Sequence, residues 1–314
     1  MSFEFNSTFN QVIHGIDNIN LSLNQYKPVS KKNLLGNTHT KESRKTPLEH
    51  LEKLAREKVI NDFNAPLMVL SVRNVLANLR CIAYLKGYTD SPISVKEEND
   101  LLLESRPYHI FGKKNGKHVI DTLNLKKWDK EKDQYSWFIS AVPVLWDDLN
   151  DDMIFRKIVT ESADHSHVWS LPRGSHPEAT DMTRSNWQSL QDIFIKSLVK
   201  NEEEAFNELN AYAKKNKLLR EENYFHNILG LDSDGNLCQF IAKGKLENLG
   251  KQLKKQGVKR ALCVDNSGSV TVQFFKKGLA GALNGEYIQL IAAPNQRHRG
   301  TAYLVIELKD SKFK

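Results

Sequence analysis

The chain has 314 residues, 40% of them apolar, with 14 Phe and 5 Trp. That is enough to bury the core of one large domain or two ordinary ones, and it excludes wholesale disorder. Its 45 Lys and Arg exceed its 38 Asp and Glu by a formal +7, a mild lean toward polyanions, nucleic acid among them. Dispersed pairs such as Lys31-Lys32 and Lys254-Lys255 are the usual make-up of solvated surface.

The longest apolar runs, 67–70 and 290–293, fall far short of the roughly 20 residues of a membrane-spanning helix. The start Met1-Ser2-Phe3-Glu4 lacks the basic, apolar and small-residue pattern of a secretory signal. The expectation is a cytoplasmic chain with no membrane partner and an oligomeric state left open. Cys81, Cys238 and Cys263 are odd in number, far apart and set among apolar neighbours, which suits buried reduced thiols and no disulfide framework.

In chain order, residues 1–45 are rich in Asn and Ser and sustain neither a helical nor a strand period, so they read as an irregular arm. Thr46-Pro47-Leu48-Glu49 combines a capping hydroxyl, proline at the first helical position and a glutamate three residues after the cap, predicting a helix to about Ile60. Dense apolar residues from 67 to 85 fit a buried helix or a strand followed by a helix. Residues 108–111 and 117–120 read as strands joined by a turn over 112–116. Residues 137–145 read as one buried strand, in which Pro143 favours an edge or a bulge.

Between 187 and 217 the apolar period becomes helical, predicting a helical insertion at about 184–218. Strand 227–231 is followed by Asp232-Ser233-Asp234-Gly235-Asn236, a tight-turn composition leading into strand 237–242. Leu246, Leu249 and Leu253 mark a short amphipathic helix that Gly257 stops. The remainder reads as strand, small-residue turn, strand, glycine-containing link, strand, loop and strand. The fold class is therefore α/β of the α+β kind: a twisted, mostly antiparallel sheet with flanking helices and a helical insertion, with residues 46–314 forming one domain.

The chemistry-bearing stretch is Leu262-Cys263-Val264-Asp265-Asn266-Ser267-Gly268-Ser269, followed by Arg297-His298-Arg299-Gly300-Thr301-Ala302. An apolar strand delivers one carboxylate into a turn of small residues, and a second strand is entered through a guanidinium pair. Together they can hold a phosphate next to an acid. Breaking a glycosyl bond builds oxocarbenium character, which a carboxylate such as Asp265 stabilises, while Arg299 faces a departing phosphate. The amides of Ser267, Gly268 and Ser269 can form a nest for phosphate oxygens, with Arg297 beside it. The plainer alternative is that Asp-Asn-Ser-Gly is simply good turn composition. His226, beside Tyr224 and Phe225, is either a catalytic partner or a packed strand residue.

With these residues in view, the run Ile228-Leu229-Gly230-Leu231-Asp232-Ser233-Asp234-Gly235-Asn236-Leu237, the helix ending in Lys255-Gln256-Gly257, the strand with Asp265 and Gly268-Ser269, and Arg299-Gly300-Thr301-Ala302 resemble the phosphodiester glycosidase family over the last quarter of the chain. The family turn is Asp-Gly-Gly-Gly-Ser; here Asn266 and Ser267 stand in place of two glycines. The resemblance implies hydrolysis of a glycosidic bond adjacent to a phosphate on a sugar-phosphate or nucleotide-like substrate. A nucleotide sugar or sugar-modified nucleic acid would suit a cytoplasmic, basic member. A non-catalytic module binding a phosphorylated ligand is the competing class.

A second cluster, Glu161, Asp164, His165, His167 and His176, surrounds Arg173. His165 and His167, two apart on an extended chain, face one side and can share a divalent metal or act as acid and base. No fixed metal spacing is met, and a polar surface loop explains the same residues. Trp169 is the tryptophan expected to be accessible for stacking, and Arg173 suits a second phosphate. The other tryptophans read as core.

Overall fold

The computed structural model describes residues 9–13, 16–23, 46–60, 62–72, 82–88, 107–161, 185–186, 189–190, 192–193, 196, 200–218, 224–266, 270–291 and 302–308. Thr46 starts the first helix, α1 (Pro47–Arg56), by the predicted box: its Oγ1 accepts the Glu49 N–H at 3.2 Å and Glu49 Oε2 accepts the Thr46 N–H at 2.6 Å. His50, Leu51 and Leu54 are its buried residues besides Pro47, and they cover one face of a sheet.

Among the described residues that sheet is one of three, all antiparallel in pairing. The first contains β1 (Phe9–Ile13), β8 (Val142–Leu145), β9 (Tyr224–Asp232), β10 (Leu237–Gly244) and β11 (Val258–Asn266), in the order β1-β10-β9-β11-β8. The second contains β2 (Ile16–Leu23), β3 (Leu67–Val72), β12 (Val272–Phe275), β13 (Ile288–Ile291) and β14 (Ala302–Leu308), in the order β13-β12-β3-β14-β2. The third contains β4 (Ala83–Leu85), β5 (Pro107–Lys114), β6 (Lys117–Asn124) and β7 (Tyr135–Ser140), in the order β4-β7-β5-β6. The fold is mixed α/β with antiparallel sheets, as the sequence implies, although the described β residues form three sheets and not one.

Among the described residues, the helices after α1 include α2 (Trp128–Glu131), α3 (Asp151–Glu161), α4 (Glu202–Lys215), α5 (Leu246–Lys255) and α6 (Gly278–Leu283), and residues 185–186, 189–190, 192–193 and 196 are helical as well. One continuous core draws Met68, Leu70, Trp137, Ile228, Leu262 and Leu304 from all three sheets, together with Leu249 and Leu253 of α5. Leu51 and Leu54 of α1 and Leu279 of α6 pack with Leu67, Val69 and Tyr303 on the other side of the second sheet. Helices α3 and α4 share a smaller cluster around Val159, Leu209 and Ala213. Helix α5 lies close on β8, because a Cβ on Gly250 would stand 2.4 Å from the Val144 carbonyl oxygen.

Four expectations change. The segment 1–45 is not an irregular arm throughout: β1 pairs with β10 and β2 with β14. The polar residues that alternate with Ile19, Leu21 and Leu23 in β2 are partnered instead of solvated: Asn20 donates to Glu307 Oε1 at 2.7 Å, and the Ser22 hydroxyl lies 2.8 Å from His50 Nδ1. Residues 137–145 are two strands in two sheets, parted at Ala141, and Pro143 sits in the edge strand β8, where a missing N–H is tolerated. In the apolar run 67–85, the described residues are strands at both ends. Helix α1 ends at Arg56, with Lys58 in a left-handed conformation at φ 54°.

Candidate functional site

Asp265 stands near the end of β11, beside a bulge. Against β9, Cys263 pairs with Ile228 and Asp265 with Asn227, so Val264 is an extra residue. In a regular strand, residues two apart share a face; the extra residue turns Asp265 to the side opposite Cys263. Asp265 and Asn227 consequently both reach Ser71 on β3, in the second sheet.

The contacts made there are short and directional. Ser71 Oγ donates to Asp265 Oδ2 at 2.6 Å and accepts the Thr271 N–H at 2.9 Å. The Ser71 N–H donates to the Thr271 carbonyl at 2.9 Å. Asn227 Nδ2 donates to the Ser71 carbonyl at 3.0 Å, and Gln239 Nε2 donates to Asn227 Oδ1 at 3.3 Å. Asp265 is 1% exposed and Asn227 and Gln239 are 0% exposed. An ionised carboxylate at such depth is tolerable only with donors aimed at it, and Ser71 is one of them.

His226, one residue before Asn227, points to the other side of the sheet. Its Nε2–H donates to the Gly244 carbonyl at 2.9 Å, which leaves Nδ1 as the acceptor, and Nδ1 lies 3.7 Å from Cys263 Sγ. The same thiol donates to the Asp265 carbonyl at 3.3 Å. Register and hydrogen bonds thus place the His226 imidazole and the Asp265 carboxylate on opposite faces of β9 and β11. Both are buried.

Ser267, Gly268, Ser269, Arg297, Arg299, His165, His167, Arg173 and Trp169 lie outside the described residues. Strands β12 and β14, which follow the first five of these in sequence, both pair with β3. Val272, after the turn, pairs with Leu70; Ala302, three residues after Arg299, pairs with Val72. Both partners adjoin Ser71. Trp128, Trp137 and Trp146 are buried, as core residues should be. Cys238 and Cys263 are buried free thiols, and Cys81 is outside the described residues.

Among the described residues no three His, Cys, Asp or Glu side chains come together to hold a metal, and no helix is long and apolar enough to cross a membrane. A cavity of about 260 Å³ lies between β8, α3 and α5, lined in part by Val144, Ile154, Asp151 and Gly250. Its lining includes Asp151 and Asp152 of an acidic stretch, but none of the candidate catalytic or phosphate-binding residues.

Sequence reasoning missed Ser71, Thr271, Asn227 and Gln239. Ser71 carries a legible signal, because a lone hydroxyl inside Leu67-Met68-Val69-Leu70-Ser71-Val72 must find a partner when the strand is buried. The partner itself, far along the chain, was not legible.

No family model matches the chain, and no curated protein matches it. Among solved structures, the catalytic domain of zebrafish N-acetylglucosamine-1-phosphodiester alpha-N-acetylglucosaminidase, auto-inhibited by its pro-peptide, is similar at 11% identity and a TM-score of 0.38, over 96% of this chain and 88% of that one. A hypothetical protein from Synechocystis is similar at 16% identity and a TM-score of 0.20, over 26% of this chain and 15% of that one.

Proposed function

We propose that the protein is a hydrolase that cleaves a glycosidic bond next to a phosphate, with a nucleotide sugar or a sugar-modified nucleic acid as the substrate class. The observation that carries this reading is the Asp265 carboxylate, turned by a bulge toward Ser71 where the ends of β3, β11, β12 and β14 meet. The family resemblance of the sequence falls on the same carboxylate.

In the proposed reaction the bond between the anomeric carbon and the phosphate oxygen breaks. The electron pair leaves with the phosphate, water adds its oxygen to the anomeric carbon, and the proton it gives up passes to the released phosphate. Asp265 stabilises the positive charge that develops on the sugar, and Arg299 the negative charge that develops on the leaving phosphate oxygen. Ser71 and Thr271 hold the Asp265 carboxylate in a fixed direction. A preorganised charge of this kind needs no reorganisation in the transition state.

One observation favours the binding-module reading instead. Asp265 is 1% exposed and ties two sheets together, a role that needs no turnover. The test is incubation with glycosyl phosphodiesters, nucleotide sugars and glucosylated DNA, following released sugar by mass spectrometry for the wild type and Asp265→Asn. Asparagine keeps an oxygen to accept from Ser71, so loss of release in a folded variant assigns the carboxylate to chemistry. Retained ligand without release in the wild type assigns the protein to binding.

A further inference from the structure

Helix α5 carries its charge on one side only. Leu246, Leu249, Gly250 and Leu253 are buried, and the outward positions include exposed Asn248, Lys251, Gln252, Lys254, Lys255 and Gln256. Lys243 at the end of β10, Lys245 just before the helix and Lys259 just after it are exposed as well. Six exposed lysines therefore fall within residues 243–259, against the single acid Glu247. Lys254 is shared with Asp151 of α3 at 3.7 Å, and both side chains remain more than half exposed. The concentration is a large part of the whole chain's formal +7.

We infer that the outward face of α5, with Lys243, Lys245 and Lys259 at its ends, is a docking surface for the phosphate backbone of a nucleic acid. Lysines supply phosphate neutralisation, and the interleaved amides of Asn248, Gln252 and Gln256 are hydrogen-bonding groups for phosphate and sugar oxygens. Lys251 and Lys255 lie one turn apart, about 6 Å along the axis, and the helix rise carries the row along a backbone for roughly 15 Å. An anionic membrane would ask for apolar side chains beside the lysines. The exposed large apolar residues of the described chain are Phe63, Met153, Leu283, Tyr287 and Ile288, and none lies on α5. This surface stands independently of the hydrolase reading.

The location also relates the surface to the site. Gly244, between Lys243 and Lys245, supplies the carbonyl that holds His226, so the lysine row starts at the end of the first sheet that carries Asp265. A backbone lying along α5 runs toward that end.

The test is fluorescence anisotropy with a short labelled DNA duplex and an RNA hairpin, titrated between about 50 and 200 mM salt. The expected result is binding whose logarithm falls with log salt at a slope of about −4, as for four to five phosphate contacts. The triple variant Lys251→Gln/Lys254→Gln/Lys255→Gln, changed only at exposed positions, should bind at least about tenfold more weakly and lose about 0.9 of slope per lysine. Its circular dichroism and melting temperature should match the wild type. The inference is overturned by absence of binding to both probes at low salt, by a triple variant that binds like the wild type, or by tighter binding to phosphatidylserine vesicles than to either nucleic acid. Because the readout is binding, its failure leaves sugar release by Asp265 unaffected, and loss of sugar release leaves it unaffected in turn.

Discussion

Ser71 and Asp265 are 194 residues apart in sequence, yet the Ser71 hydroxyl donates to the Asp265 carboxylate at 2.6 Å in the buried interval between two sheets. The hydroxyl is held in turn by the Thr271 amide, so β3, β11 and the residue just before β12 together determine where one carboxylate points.

Replacing Ser71 by alanine removes a donor from a buried carboxylate and an acceptor from a buried amide. Loss of a partner from a buried charge is the expensive case, and Ser71→Ala should cost about 3 kcal/mol in urea denaturation. Asp265→Asn in the same background should add less than it does alone, by about 1 kcal/mol. Strict additivity of the two changes would contradict a direct bond between the side chains.

Gly250→Ala sets two effects against each other. Helix propensity alone favours alanine by about 1 kcal/mol, but the new Cβ would stand 2.4 Å from the Val144 carbonyl oxygen, and overpacking of this kind costs about 1–3 kcal/mol. Since the obstacle is backbone, the clash wins. Thermal unfolding should show a lower melting temperature for Gly250→Ala, and a higher one would mean that α5 stands off β8.

His118 lies against Phe111 and Trp137, and its pKa is lowered from 6.5 to about 4, first by burial and then by the Lys113 charge. A histidine whose folded pKa is depressed is neutral in the fold and protonated in the unfolded chain between those values. Its contribution is present above about pH 6.5 and is lost as pH falls toward 4, roughly 2 kcal/mol after allowance for partial exposure. Stability measured from pH 7 to 4 should fall less steeply for His118→Phe than for the wild type. Equal slopes would remove His118 as a cause.

Burial, helped by the Asp232 charge, pushes the Cys238 thiol up to about 11. The thiolate is the nucleophile, so Cys238 should resist N-ethylmaleimide at pH 8 in the native protein and react in urea, as read by peptide mass spectrometry. Rapid native labelling of Cys238 would contradict its position in β10.

What could be read in advance follows the range of the interactions. The box at Thr46 and Glu49, the stop at Gly257 and the order of β11, β12, β13 and β14 depend on neighbours in sequence, and they were legible; the glycine-containing link between β12 and β13 was not read as the helix α6. The strand β2 was missed although Ile19, Leu21 and Leu23 alternate with Asn20 and Ser22, because the alternation is short and the partners of its polar residues, Glu307 and His50, lie elsewhere in the chain. Asp265 was singled out from its local turn composition, while its hydrogen bond from Ser71, 194 residues away, left no local signal. The bulge at Val264, which separates His226 from Asp265, arises from pairing with β9 and leaves no mark in the local composition.

The most direct measurement is release of sugar from the panel of glycosyl phosphodiesters, nucleotide sugars and glucosylated DNA, made side by side on wild type and Asp265→Asn after both are shown to be folded. The account predicts release by the wild type from at least one phosphate-linked sugar and a loss of about a hundredfold or more in the variant. Equal release by the two proteins would contradict it.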